Sequence, residues 1–364
     1  MNIQNSYIYR ITVTILLATL GIISGVNGQD PQFSQYYSAG AYLNPAMVGL
    51  ESKTSISLNH REQKLGVDHP FILSQVSFVQ PINFADEKSK QTGGVGLSVY
   101  NDISGVSGYL RKTGMMISAA YNARINVQST LTFGIQGNHT QKVVDFNKLE
   151  WGSQYNPERG YDQSMQSSYS GVVDKTGFTS FNAGAIFEFQ PVTDPKKGPT
   201  SWYVGLTGSN LNVPDESLVS DIGNLKVPAL LKFHAGLSKV VKQKINIQPS
   251  VLVMKQRTAY QINVGSYLSW KLNNYAQVNK DIELDAGLWY RLNDSFILGA
   301  GGSYQGFTLA LSYDLNTTSL QYDVPADGGT MEISLKYTFQ RKSGGVRRNK
   351  NGTIKKKRRS MPRF

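Results

Sequence analysis

Met331-Glu332-Ile333-Ser334-Leu335-Lys336-Tyr337-Thr338-Phe339 alternates: after Met331 every odd residue is a large apolar or aromatic one, and Glu332, Ser334, Lys336 and Thr338 point the other way. A period of two is the repeat of a β-strand, whose successive side chains emerge on opposite faces. One face of this strand suits hydrocarbon and the other suits water.

The same period recurs upstream, in Val95, Leu97 and Val99, in Met115, Ile117, Ala119 and Tyr121, and in Leu131, Phe133 and Ile135. It continues through Phe181 to Phe189, Trp202 to Leu206, Phe233 to Leu237 and Ile245 to Val253. Ile262 to Trp270, Ile282 to Tyr290, Phe296 to Ala300 and Phe307 to Tyr313 follow the same rule. With two less regular runs, Lys53 to His60 and Phe71 to Val79, the strands number 14. In lipid every backbone donor must find a partner and no sheet edge can stay open, so an even set of strands of about 9 to 11 residues closes into a barrel. The reading is an all-β fold, a transmembrane antiparallel β-barrel of about 14 strands over residues 53–340. A last strand that ends on an aromatic is usual in bacterial outer-membrane barrels. Alternation alone would also suit a water-soluble sandwich or propeller. The 35 glycines and 20 tyrosines favour strands that pack closely and meet a membrane interface.

Both flanks of the barrel carry their own signals. Arg10, the apolar stretch Ile11 to Ile23 and the small residues before Gln29 read as a signal peptide over residues 1–28, cleaved near Gly28/Gln29. That stretch is shorter than the roughly 20 apolar residues of a spanning helix. Residues 341–364 hold 11 Lys and Arg and no acid, nearly all of the formal net charge of +12. A cluster such as Lys355-Lys356-Lys357-Arg358-Arg359 would ordinarily suggest nucleic acid, but export excludes that partner. A disordered tail drawn to outer-membrane lipid, glycan or an acidic periplasmic partner remains. Both ends of an even-stranded barrel lie on one side, which places the tail and Gln29 to Glu51 in the periplasm. Long connections, Asn138 to Thr176 foremost, belong outside and short turns inside. Arg291 to Ser295 and Gln305-Gly306 strain that rule, being consecutive and both tight, which puts the register over residues 285–310 in question.

Residues for catalysis are missing. There is no cysteine, and His60, His69, His139 and His234 have no metal-ligand spacing and no nucleophile signature. His234 shares the polar face of its strand with Lys232 and reads as a lumen residue. Asp281, Glu283 and Asp285 alternate on one face and read as a solvated inner wall. Gly299 to Gly302 lies in a strand and lacks the strand-to-helix context of a phosphate loop. No cofactor, metal or enzymatic activity is expected.

The segment 29–52 is the most individual. Gln29-Asp30-Pro31-Gln32-Phe33-Ser34-Gln35-Tyr36-Tyr37, then Tyr42-Leu43-Asn44-Pro45-Ala46, resembles the opening of the PorP/SprF family of the type IX secretion system. Gly93 to Val99, Tyr203 to Leu206, Leu284 to Arg291 and Leu311 to Asp314 follow in the family's order. The resemblance implies an outer-membrane protein of a Bacteroidota secretion and gliding apparatus. It would dock, export or anchor large surface adhesins through their C-terminal domains, with periplasmic components of the machine as further partners. The alternative is a general diffusion porin. Phe33, Tyr36, Tyr37, Asn44 and Pro45 are the candidate residues, as a partner contact or as an aromatic plug that seals or nucleates the barrel. Lys355, Lys356, Lys357, Arg358 and Arg359 are the candidate tail contact.

Overall fold

A computed structural model describes residues 32–63, 70–83, 91–104, 109–146, 149–156, 158–162, 164–165, 173–191, 200–217, 225–241, 244–272, 282–317 and 329–339. Residues 1–28, read from the sequence as a signal peptide, and 341–364, read as a basic tail that includes Lys355 to Arg359, lie outside the described residues.

Fourteen strands form one closed antiparallel barrel. They are β1 (Ser55–Gln63), β2 (Phe71–Ile82), β3 (Gly93–Ser104), β4 (Leu110–Arg124) and β5 (Ser129–Asp145). Next come β6 (Val173–Phe189), β7 (Thr200–Ser209), β8 (Leu230–Val241), β9 (Ile245–Gln256) and β10 (Ala259–Lys271). The last are β11 (Ile282–Arg291), β12 (Ser295–Tyr304), β13 (Phe307–Asn316) and β14 (Thr330–Thr338). Each strand pairs with its neighbour in sequence, and β1 pairs with β14 from Ser55↔Thr338 to Gln63↔Thr330, which removes the open edge. We call the end where β1 starts and β14 stops the proximal rim and the opposite end the distal rim.

The alternation sorts residues as the sequence implies. Leu58, Phe78, Leu97, Ile117, Ile135, Leu206, Leu288, Leu311 and Leu335 are exposed on the outside, while Ser77, Ser98, Ser118, Gln136, His234 and Glu332 are buried within. An exterior that exposes so many large apolar groups is stable only against acyl chains.

Three expectations are corrected. Asn138 to Thr176 is not one long loop: β5 and β6 each run 17 residues, and their ladder continues to Asp145↔Val173. At about 3.4 Å per residue these strands outrun the hydrocarbon. Beyond it the outward residues turn polar, with Gln141, His139, Thr179 and Lys175 exposed, so the hydrophobic signal ends where the hydrogen-bond ladder does not. The register over 285–310 is also sound. Both turns are tight, with Tyr304 paired to Phe307 and Arg291 to Ser295. Gln305 (φ 47) and Gly306 (φ 93) both take positive φ, the geometry whose twist matches a two-residue hairpin. At the distal rim Arg257 (φ 52) and Asn293 (φ 56) make turns that are short where long ones were expected. Finally, of the two placements read for the N-terminal segment, periplasmic or plug, Gln32 to Leu50 takes the bore.

Leu311 sits at the centre of β13 on the outer face. Leu311→Arg should destabilise the barrel by about 2–4 kcal/mol, whereas Leu311→Phe should be close to neutral. Urea unfolding in liposomes, read by heat-modifiable gel migration, checks the pair.

Candidate functional site

Fourteen strands enclose a bore wider than their own side chains fill, and the chain's Gln32–Leu50 segment occupies it. Local sequence shapes this segment. Gly40–Leu43 forms one helical turn, which Asn44 ends in extended backbone (φ −153, ψ 123), the region imposed on a residue before proline. Pro45 then opens a 3₁₀ turn over Pro45–Gly49, and the Asn44 side chain accepts from Ala46 N at 2.9 Å. This compact double turn crosses the bore where the wall has been pared to glycine. A Cβ at Gly94 would stand 2.0 Å from the Val48 carbonyl oxygen, one at Gly134 2.2 Å from Ala46 N, and one at Gly184 2.1 Å from Asn44 Oδ1.

Wall side chains satisfy the polar groups of the turns, as burial requires. Gln136 Nε2 donates to Ala41 O at 3.0 Å, Lys232 Nζ to Tyr42 O at 2.8 Å and Asn122 Nδ2 to Gly49 O at 2.8 Å. Asn44 Nδ2 donates to Leu206 O at 3.2 Å and to His234 Nε2 at 3.0 Å. His234 is fully buried and has the lumen position expected of it.

The aromatic residues anchor the segment. Phe33 packs with Leu73, Tyr100 and Met116 of β2 to β4, and meets Tyr42 edge-on at 5.9 Å. Tyr36 packs with Leu230, Leu252 and Met254 of β8 and β9 and shares a 2.8 Å hydrogen bond with Ser250. Tyr37 stacks on Trp289 at 5.6 Å within the Tyr267, Trp289 and Ile297 cluster of β10 to β12, and its hydroxyl bonds that of Tyr267. Ala46 joins Ile186 and Tyr203 of β6 and β7. A large side chain buried this way contributes about 1.5–3 kcal/mol.

Four charges close the set. Arg61 of β1 lies 2.9 Å from Glu332 of β14, and Arg291 of β11 lies 3.1 Å from Asp314 of β13, all four buried. Ser34 sits among them: its hydroxyl donates to Asp314 Oδ2 at 2.5 Å and accepts from Arg61 at 2.9 Å and from Arg291 at 2.5 Å. Its main-chain N–H, and that of Gln35 at 2.8 Å, donate to the Glu332 carboxylate. Every one of the fourteen strands therefore supplies a residue to a cluster or bond around this segment. Phe33, Tyr36, Tyr37, Asn44 and Pro45 all lie on this segment, with Phe33, Tyr36 and Tyr37 packed against different parts of the wall. The charged quartet is not apparent strand by strand. Its one signal is register, since Arg61 falls directly opposite Glu332 once β1 is paired with β14.

The direction of threading follows from the contacts. Ser34 meets the distal ends of β11, β13 and β14, and Gly49 meets Asn122 and Gln91 at the proximal end, where Glu51 pairs with Lys336. Glu283 and Asp285 of β11 face the bore, and Asp281 lies outside the described residues. Among the described residues no group of three His, Asp or Glu could hold a metal ion, and no helix is long and apolar enough to cross a membrane.

The sequence profile described as "Type IX secretion system membrane protein PorP/SprF" matches residues 25–337. The chain belongs to that family. No curated protein matches it in sequence. Among solved structures, this PorP/SprF chain is similar to the Pseudomonas putida toluene transporter TodX, at 11% identity and a TM-score of 0.47, over 82% of this chain and 92% of that one. It is also similar to the Ralstonia pickettii toluene transporter TbuX, at 14% identity and a TM-score of 0.46, over 83% and 94% of the respective chains. A closed 14-stranded barrel in a PorP/SprF member points to the outer membrane and to the secretion machinery as its setting.

Two predictions follow from this geometry. Arg61→Met strands the buried Glu332 carboxylate and should cost about 3–5 kcal/mol, and Arg61→Met with Glu332→Met should recover most of it; denaturant unfolding of the three variants checks this. The chain has no cysteine, so Gln32→Cys and Glu51→Cys are single reporters. On intact cells a membrane-impermeant maleimide should label Gln32→Cys, and Glu51→Cys only after permeabilisation. Labelling in the reverse order would invert the threading relative to the cell.

Proposed function

We propose that this PorP/SprF barrel serves type IX secretion by docking, exporting or anchoring large surface adhesins through their C-terminal domains, and that small-solute diffusion is not its work. One observation carries the reading: the bore is filled by the chain's own Gln32–Leu50 segment, which is bonded or packed against the whole wall. A porin needs an aqueous path, and this segment occupies it with buried aromatic side chains, its Ser34 held by four buried charges of the wall. In this reading Phe33, Tyr36, Tyr37, Asn44 and Pro45 act as a plug that shapes and closes the barrel. The partner's place is the distal rim, where β5 and β6 protrude. The absence of any catalytic constellation in the sequence agrees with a non-enzymatic role. Residues 341–364, with Lys355, Lys356, Lys357, Arg358 and Arg359, act as a periplasmic tether to an acidic component of the machine, by an attraction of about 1 kcal/mol per base near an anionic surface.

Deletion of the gene should strip one or a few large adhesins from the cell surface and leave small-solute uptake intact, as surface proteomics and uptake assays would register. A chain truncated after Gln340 should restore a folded barrel but co-purify fewer periplasmic partners. Broad loss of uptake with a normal surface, or steady conductance of the purified barrel in planar bilayers, would favour the porin.

A further inference from the structure

We propose that Lys112 and Lys142 form a carboxylate-binding site in the distal mouth of the bore, which Glu216 of the chain's own 210–229 connection occupies, and whose ligand is an acidic peptide in extended conformation. Lys112 of β4 and Lys142 of β5 lie directly opposite each other in register, on the bore-facing set of both strands. Like charges directly opposite on neighbouring strands repel unless an anion sits between them. Glu216 supplies one. Its Oε2 is 3.5 Å from Lys112 Nζ and 3.3 Å from Lys142 Nζ, with the three side chains largely buried.

The way Glu216 arrives defines the ligand. Glu216 N donates to Leu225 O at 2.9 Å, Val227 N to Pro214 O at 2.8 Å, and Asp215 bridges Lys226 in antiparallel pairing. The lysines therefore already hold a glutamate presented on extended peptide backbone. Asp215 is engaged elsewhere: the Ser217 hydroxyl and main-chain N–H both donate to it and hold its carboxyl below its ordinary value. Around the pair, Asp102 faces Lys112 from β3, and Lys232 is bonded to Tyr42 O. Without Glu216, the facing Lys112 and Lys142 would lose the carboxylate that lies between them. Beside them a cavity of about 80 Å³, lined by Tyr42, Tyr100, Asp102, Lys112, Asn138 and Lys232, adds space that Glu216 does not use. The chain thus carries a stand-in ligand that an incoming acidic strand would displace. That the strand comes from an exported polypeptide rests on the docking reading; the site itself rests on the geometry.

The full-length barrel in detergent micelles, with a fluorescein-labelled peptide of alternating Glu and Ser about eight residues long, provides the test by anisotropy. Glu216→Gln should bind the peptide about tenfold more tightly than the unaltered chain, since the internal competitor has lost its charge. Lys112→Gln with Lys142→Gln should abolish binding, and Lys112→Arg with Lys142→Arg should keep it, each checked for folding by heat-modifiable migration. A Lys and Ser peptide should not bind. Displacement of the peptide by an equal concentration of inorganic phosphate would mean an adventitious ion only, and would overturn the proposal, as would a Glu216→Gln barrel that binds no more tightly. A deletion strain that keeps every surface adhesin removes the export reading whatever the peptide does. A peptide indifferent to Glu216→Gln removes this site even where adhesins are lost.

Discussion

A membrane interior offers no water to an unpaired backbone group, so the pairing of β1 with β14 is the contact on which everything else rests. It joins residues near the two ends of the described chain, from Ser55↔Thr338 to Gln63↔Thr330. Without it both strands would expose a row of donors and acceptors to hydrocarbon, at several kcal/mol each. The closing pair also sets the inner register. It is this ladder that puts Arg61 opposite Glu332 and, through β13 and β11, assembles the charges that receive Ser34.

Closure raises a packing problem that the segment before β1 answers. Side chains of fourteen strands leave an interior they cannot fill, and buried voids and unpaired polar groups are both costly. The Gln32–Leu50 segment meets this with two short turns instead of a long helix. A turn exposes many carbonyls to its surroundings, and inward Gln136, Asn122 and Lys232 are placed to donate to them. Where the turns come closest the wall is glycine, and nothing larger would leave room for the main chain at 94 and 134 or for the Asn44 side chain at 184. The charged quartet is balanced, which is why burial of four ionisable groups is compatible with folding. Removing Arg61 leaves the Glu332 carboxylate buried without its nearest counter-charge.

The two rims differ in consequence. At the proximal rim Lys336 pairs with Glu51, tying the end of the bore segment to the last strand. The distal rim gathers the threaded Gln32, the tall β5–β6 pair and Glu216 between two lysines. A barrel filled along its axis offers partners its mouths and not its lumen. The distal mouth is the one at which the chain's own segments already fold inward.

The sequence by itself determined the barrel. Strand number, the lipid and lumen faces, and the Gln305-Gly306 turn follow from a period of two and from residues adjacent in the chain, which local physics decides. Phe33, Tyr36, Tyr37, Asn44 and Pro45 stood out in the sequence through resemblance more than through any pattern of their own. Only the tertiary structure decided where that segment goes, because its fate lies in contacts such as Ser34 with Glu332, separated by 298 positions. The same is true of Lys112, Lys142 and Glu216, whose meeting needs the β4–β5 register and the pairing of Pro214–Glu216 with Leu225–Val227. The extension of β5 and β6 escaped the sequence for a different reason. Hydrophobic alternation reports where lipid ends, whereas a hydrogen-bond ladder continues for as long as backbone faces backbone.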